Sequence, residues 1–238
     1  MSDGNQKTLR ERKEEKTRSE ILTAAENLFN RYGLDQVSVQ YIADEAFLSR
    51  ATIYNYFGNK DSIMYALATE RLREGNERLG LLRKSPQDYY SKVMLVVDLS
   101  FDAIVESPAR NAILRRLLVL DSSRERSIEE EYSNYLDLES QRFDGIDEIP
   151  KEDQMVLRFL EELWQYENFL ISLIQEGQVR GEISRVRKAA ELAQFIIMSL
   201  NGLTDQLVLH KGPLRKYKIT VGGVKELYLK AVRRVLVE

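Results

Sequence analysis

The amino-acid sequence predicts an all-α fold, with a three-helix helix-turn-helix head at the N-terminus and a larger helical domain behind it. Three observations predict it. Prolines stand at 86, 108, 150 and 213 of 238 residues, no long stretch alternates β-branched with polar side chains, and apolar residues recur at three- and four-residue intervals along most of the chain.

The opening MSDGNQKTLRERKEEKT is a charged arm, residues 1–16, that is either flexible or extends the first helix. Thr17 and Glu20 have the spacing of a capping box, and Ile21, Ala25, Leu28, Phe29 and Tyr32 then form an inward stripe that Gly33 stops. Ser38 caps a short second helix with Ile42, Ala43 and Ala46 facing inward. Ser49 caps a third, from about Arg50 to Phe57, in which Ile53 and Phe57 share a face. Gly58 ends it, and Asn59 caps a fourth that runs from Lys60 toward Leu79. The second and third helices are too short to stand alone, so packing against the first and fourth must hold them. These elements make a domain at 17–67.

Beyond it, Ser85-Pro86 and Ser107-Pro108 each place a capping residue before a proline. They open one helix at about 86–105 and another through Ile113, Leu114, Leu117 and Leu118. A polar, acidic helix is expected from Glu129 to Phe143, with Gly145 to Pro150 as its exit loop. A long apolar helix follows from Pro150 to Gln178, interrupted or ended at Gly177 and Gly181. Ser184 caps the next, which reaches about Leu209; Gly212-Pro213 breaks the chain, and a last helix follows Gly222-Gly223. This larger domain spans 80–238.

Composition narrows the chemistry. With no cysteine there is no disulfide, thiol nucleophile or thiolate metal site, and a reducing, cytoplasmic setting is expected. No apolar run approaches the ~20 residues of a membrane span. The lone His210 sits near a helix end, no HExxH or glycine-rich nucleotide loop is present, and no helix pairs carboxylates persuasively, so neither an enzyme, a metal nor a cofactor is expected. The net charge is −3, but residues 121–153 carry four Lys/Arg against twelve Asp/Glu, whereas residues 1–60 balance at nine each. A duplex is repelled by the acidic middle and tolerated at the head. The basic tail at Lys211, Arg215, Lys216 and Lys218 fits a solubilising surface or a phosphate contact.

The second and third helices are joined by Phe47-Leu48-Ser49, the spacing of a helix-turn-helix. With Ile53 and Phe57 inward, the helical period turns Arg50, Ala51, Thr52, Tyr54, Asn55 and Tyr56 around the remaining surface. Arg50 suits guanine, Asn55 adenine, and Thr52 and the tyrosines suit phosphates or thymine methyls; Ser38 and Lys60 suit phosphates. The same spacing also fits a plain helical bundle.

The stretch VSVQYIADEAFLSRATIYNYFGNKDSIMYAL resembles the DNA-binding head of the TetR family of one-component regulators. The resemblance covers roughly Thr17 to Leu67 and rests on Ile42-Ala43, Ser49, Thr52-Ile53-Tyr54, Tyr56-Phe57 and Asn59-Lys60-Asp61. It implies that Ser38 and Gln40 approach the backbone or groove edge and that Arg50, Ala51 and Thr52 reach bases. Tyr54, Asn55 and Tyr56 would then touch phosphates or bases, and Lys60 would anchor a phosphate. Two departures stand out: Phe47 replaces the usual turn glycine, and Val39 replaces a common threonine.

The resemblance further implies a homodimer on a palindromic double-stranded DNA operator, and a body that binds a small hydrophobic effector. Leu157, Leu160, Phe169, Leu173, Phe195, Met198 and Leu203 are interface candidates. Met94, Phe101, Leu117, Leu118, Tyr132, Tyr135, Leu163, Trp164 and Tyr166 are ligand candidates, with arginines 110, 115 and 116 for an anionic head group. All of them also fit a plain monomer core. Long-chain acyl-CoA or fatty acid is expected ahead of planar drugs; release and corepression both stay open, as does a helical docking protein that binds no DNA.

Overall fold

A computed structural model describes residues 8–106, 112–114, 116–117, 127, 130–132, 136–137, 142–143, 145–209 and 216–238. Leu118, Tyr135, Arg110, Arg115, His210, Lys211, Arg215, Ser107-Pro108 and Gly212-Pro213 lie outside the described residues. The described part is helical: α1 Leu9–Tyr32, α2 Val39–Glu45, α3 Arg50–Phe57, α4 Lys60–Arg83, α5 Tyr89–Glu106, α6 Lys151–Arg180, α7 Ala189–Leu209 and α8 Val221–Val237. None of these helices is long and apolar enough to cross a membrane.

Helix starts are where the sequence reading needs most correction, because several residues compete for each cap. The first helix begins at Leu9, so the arm from there on extends it and Thr17 lies inside the helix rather than at its cap. Thr8-Leu9-Arg10-Glu11 is itself a capping box, with the Thr8 amide donating to Glu11 Oε2 at 2.7 Å and the Glu11 amide to Thr8 Oγ1 at 3.2 Å. Pairs four apart, Arg10 with Glu14 and Lys16 with Glu20, support the added turns. Asp88, not Ser85, opens α5, its carboxylate accepting from the Ser91 amide at 2.8 Å. Ser184 does not start α7, which begins at Ala189; Gln178 Nε2 holds the Ser184 and Arg187 carbonyls and keeps that loop out of helix. Thr220 caps α8 by accepting from the Gly223 amide at 3.1 Å, so both glycines lie inside its first turn.

Two further expectations change. Of the acidic helix expected from Glu129 to Phe143, Glu130 and Glu131 are helical, while β1 Leu136–Asp137 pairs with β2 Arg142–Phe143; residues 129, 133–135 and 138–141 lie outside the described residues. In contrast, Gly177 does not interrupt α6, which ends where Gly181 takes φ +77°. A Cβ at Gly177 would stand 2.6 Å from Ile183 Cδ1, so glycine there permits close packing rather than a turn.

Two compact units emerge. The first gathers Met1–Thr69, Ala112–Tyr135 and Phe143–Phe159; the second gathers Glu70–Asn111, Leu136–Arg142 and Leu160–Glu238. In the first, Ile21, Ala25, Phe29, Ile42, Ala43, Ile53 and Phe57 are buried, and α4 is buried on every side from Ser62 to Ala68. Tyr65 meets Phe159 edge-on, with ring centroids 5.5 Å apart at 66°. In the second, Val93, Val96, Val97, Phe101, Leu170, Leu173, Ile174, Leu192, Ile196 and Val232 belong to one continuous apolar core.

Candidate nucleic-acid interface

The head's two short helices are held by hydroxyl caps at both starts. The Tyr41 amide donates to Ser38 Oγ at 3.2 Å, and the Thr52 amide to Ser49 Oγ at 3.0 Å, each cap being worth about 1 kcal/mol. Ile53 and Phe57 fix α3 against the head core, which leaves Arg50, Ala51, Tyr54 and Asn55 exposed and Thr52 and Tyr56 half-buried. The outward face thus carries a guanidinium, a carboxamide and a phenol hydroxyl on eight residues. This is a surface of base-edge and phosphate donors and acceptors with almost no aliphatic bulk.

Around that face the predicted phosphate contacts are engaged differently from one another. Gln40 Nε2 donates to Asp44 Oδ1 at 2.7 Å along α2, and Ser38 is exposed with its Oγ already accepting one amide. Lys60 is half-buried and donates to the Leu34 carbonyl, tying the start of α4 to the turn after α1. Burial, followed by the neighbouring Arg116 charge, holds its ammonium below the usual lysine value. Arg116 itself pairs with Asp35 at 3.3 Å. Position 60 therefore has a structural task in addition to any phosphate contact, which a sequence-local reading misses because Leu34 and Arg116 are distant in the chain.

The turn between α2 and α3 is a Schellman motif. The Leu48 amide donates to the Ala43 carbonyl at 2.9 Å and the Phe47 amide to the Asp44 carbonyl at 3.2 Å. Phe47 occupies the left-handed position with φ +55°, where glycine is unstrained and a side chain costs about 1–2 kcal/mol. Its ring is 95% exposed. The departure from glycine is met by strain at Phe47 rather than by a turn that avoids positive φ.

At the other end of α3, a Cβ at Gly58 (φ +77°) would lie 2.5 Å from Glu152 Oε1. The first turn of α6 thus closes on the end of α3, an approach that nothing within residues 17–67 announces.

In the second unit, Phe101 is buried, Met94, Phe169 and Tyr166 pack against its core, and Leu163 and Trp164 are half-buried; Leu117 and Tyr132 belong to the first unit instead. Two polar groups stand out among the apolar ones. Tyr166 Oη lies 3.1 Å from Ser100 Oγ, with burial pushing the phenol up. Tyr228 Oη donates to the Ile196 carbonyl at 2.8 Å and lies 3.2 Å from Ser199 Oγ, with burial pushing this phenol up to about 12. Glu167 is also held above the usual carboxylate range by burial. Sequence reasoning chose Tyr166 but missed Ser100, Ser199, Tyr228 and Glu167, because only tertiary packing assembles them. Among the interface candidates, Leu157, Leu160 and Leu173 are buried within the single chain, Phe169 and Leu203 are half-buried, and Phe195 and Met198 are exposed, Met198 by 70%.

Short capped helices, a tight turn and a polar outward face define the first unit's class: it contains a helix-turn-helix domain. Residues 21–67 match the family model of bacterial regulatory proteins, tetR family, and this head belongs to the TetR family. The chain is 35% identical over 68 residues to the HTH-type transcriptional repressor Rv1474c of Mycobacterium tuberculosis, covering 27% of this chain and 36% of that protein. It is 30% identical over 86 residues to the HTH-type transcriptional regulator BetI of Brucella abortus, covering 36% of this chain and 43% of that protein. The chain thus spans about two fifths of the length of these curated relatives. Whole-chain likeness is seen with solved structures. FadR from Bacillus subtilis in complex with stearoyl-CoA aligns at a TM-score of 0.62 and 19% identity, covering 92% of this chain and 98% of FadR. A transcriptional regulator from Saccharomonospora viridis in complex with choline aligns at 0.65 and 18%, covering 94% and 99%. These likenesses are of fold: an all-α chain with a helix-turn-helix head.

Proposed function

We propose that the protein is a homodimeric transcriptional regulator that binds a palindromic operator through α3 and is released by a hydrophobic effector held in the second unit. The observation that carries the reading is the exposed Arg50, Ala51, Tyr54 and Asn55 face inside a TetR-family domain. One such helix reads only a few base pairs, so a dyad-related second head supplies the remaining specificity. The dimer face is assigned to α7. From Leu192 to Thr204 it has no charged residue, and Phe195 and Met198 stand exposed on it.

For the effector, the apolar core of the second unit around Met94, Phe101 and Tyr166 favours a long-chain acyl-CoA or fatty acid, in keeping with the stearoyl-CoA bound to the Bacillus subtilis protein. The choline complex of a neighbour of equal likeness makes choline the informative rival. To shift operator release from 1:99 to 99:1 the effector must favour the released form by ~5.5 kcal/mol, so tight binding alone is insufficient.

The test uses the full-length chain and a duplex enriched from a random-sequence pool. Light scattering should give a dimer, and titration of the enriched duplex with stearoyl-CoA, stearate or choline present should weaken binding with the acyl compounds only. A monomer on DNA overturns the dimer. Release by choline alone overturns the acyl assignment, and tightening by an acyl compound overturns the release.

A further inference from the structure

We propose that Phe47 is a specificity-determining residue whose ring lies against a thymine methyl of the operator, next to the bases read from Arg50. The inference rests on the reading of the head as a sequence-selective DNA-binding domain. It begins from a residue that the fold of the protomer does not favour. Phe47 is in the left-handed position of a Schellman motif, where any side chain is strained and glycine is not. Strain of this kind persists where something else uses it. The protomer does not use it through packing, since the ring is 95% exposed.

Position supplies the user. Phe47 precedes the Ser49 cap by two residues and Arg50 by three, at the N-terminal end of α3. In a helix-turn-helix this is the end of the recognition helix that meets base edges. A flat ring with no donor or acceptor reads one feature there, because thymine's C5 methyl is the apolar group that the major groove displays. Arg50 on the same end supplies the hydrogen bonds that the ring lacks.

The test compares the full-length chain with Phe47→Gly and Phe47→Asn, both of which tolerate the left-handed backbone. The probe is the duplex that the wild type enriches from a random-sequence pool. Thermal unfolding should rise for Phe47→Gly while affinity for the enriched duplex falls about ten-fold and affinity for a scrambled duplex stays unchanged. Replacing single thymines by deoxyuridine removes only the methyl. At one position in each half-site, the wild type should lose the same ten-fold and both variants should lose nothing. Variants that bind the enriched duplex as well as the wild type overturn the proposal, as does equal weakening on both duplexes, or uridine effects shared by wild type and variants. If the wild type enriches no duplex, the DNA-binding reading itself fails, and this proposal goes with it.

Discussion

The two compact units place their polar groups in opposite ways. In the first, the groups that matter are pushed outward by local devices: two serine caps, one tight turn and two inward apolar residues orient the whole face of α3. In the second, the phenols turn inward and meet partners across tens of residues of sequence: Tyr166 meets Ser100, and Tyr228 meets Ile196 and Ser199. An outward site can be written in a short peptide, whereas an inward one is written in the packing. Changes to the first should therefore alter binding with modest effects on stability, and changes to the second should do the reverse.

The largest expected effect tests the part of the first unit that breaks this rule. Phe159→Ala removes the ring that Tyr65 meets edge-on in a fully buried place, and should cost ~3–5 kcal/mol, read by urea denaturation. A loss below about 1 kcal/mol would mean that α6 contributes little to the first unit.

Next comes pH. The Tyr228 phenol titrates at 10 when unfolded and at about 12 when folded, so its folded environment favours the neutral form. That stability is fully present below pH 10 and is lost as pH rises through about 12, by roughly 2–3 kcal/mol. Denaturation across this range should fall more steeply for the wild type than for Tyr228→Phe; parallel curves would break the contrast.

On the outward side, Arg50→Ala should cost ~1–3 kcal/mol on the enriched duplex and little on a scrambled one, with unfolding nearly unchanged. Lys60→Ala sharpens the comparison, since its ammonium also holds the Leu34 carbonyl. It should weaken all duplexes about equally and also lower stability by ~1 kcal/mol. Fluorescence anisotropy at several salt concentrations separates the two patterns.

The smallest effect belongs to Lys225, which bridges Asp98 and Asp102 at 2.9 and 2.7 Å. Burial alone would lower its pKa, but the hydrogen bonds to Asp102 and Asp98 outweigh it and raise the value, so the bridge stabilises below 10.5 and is lost above. Because both aspartates are more than a third exposed, Lys225→Met should cost at most about 1 kcal/mol.

What the sequence made legible follows the same division. Ser38, Ser49, Gly58 and Asn59 are short-range signals, and each stands where the structure uses it. Where the structure caps a helix with a residue other than the one spacing suggests, Thr8 for Thr17 and Asp88 for Ser85, the side chain that completes the hydrogen bond decides. Glu152 at Gly58, and Tyr228 at Ile196 and Ser199, depend on contacts that no local window contains.

The interleaving of the two units along the chain bears on how the protein is made. The first unit includes Phe143–Phe159, while Glu70–Asn111 of the second has already been synthesised by then. A ribosome that has released residue 69 has therefore released a head without the ring that faces Tyr65. At ~5–20 residues per second the wait for Phe159 is of the order of ten seconds, long on the scale of helix formation. During that wait the buried run of α4 from Ile63 to Ala68 lacks the part of its cover that Phe159 supplies. A fragment cut at the end of the family match would keep every exposed side chain of α3 and remain in that unfinished state.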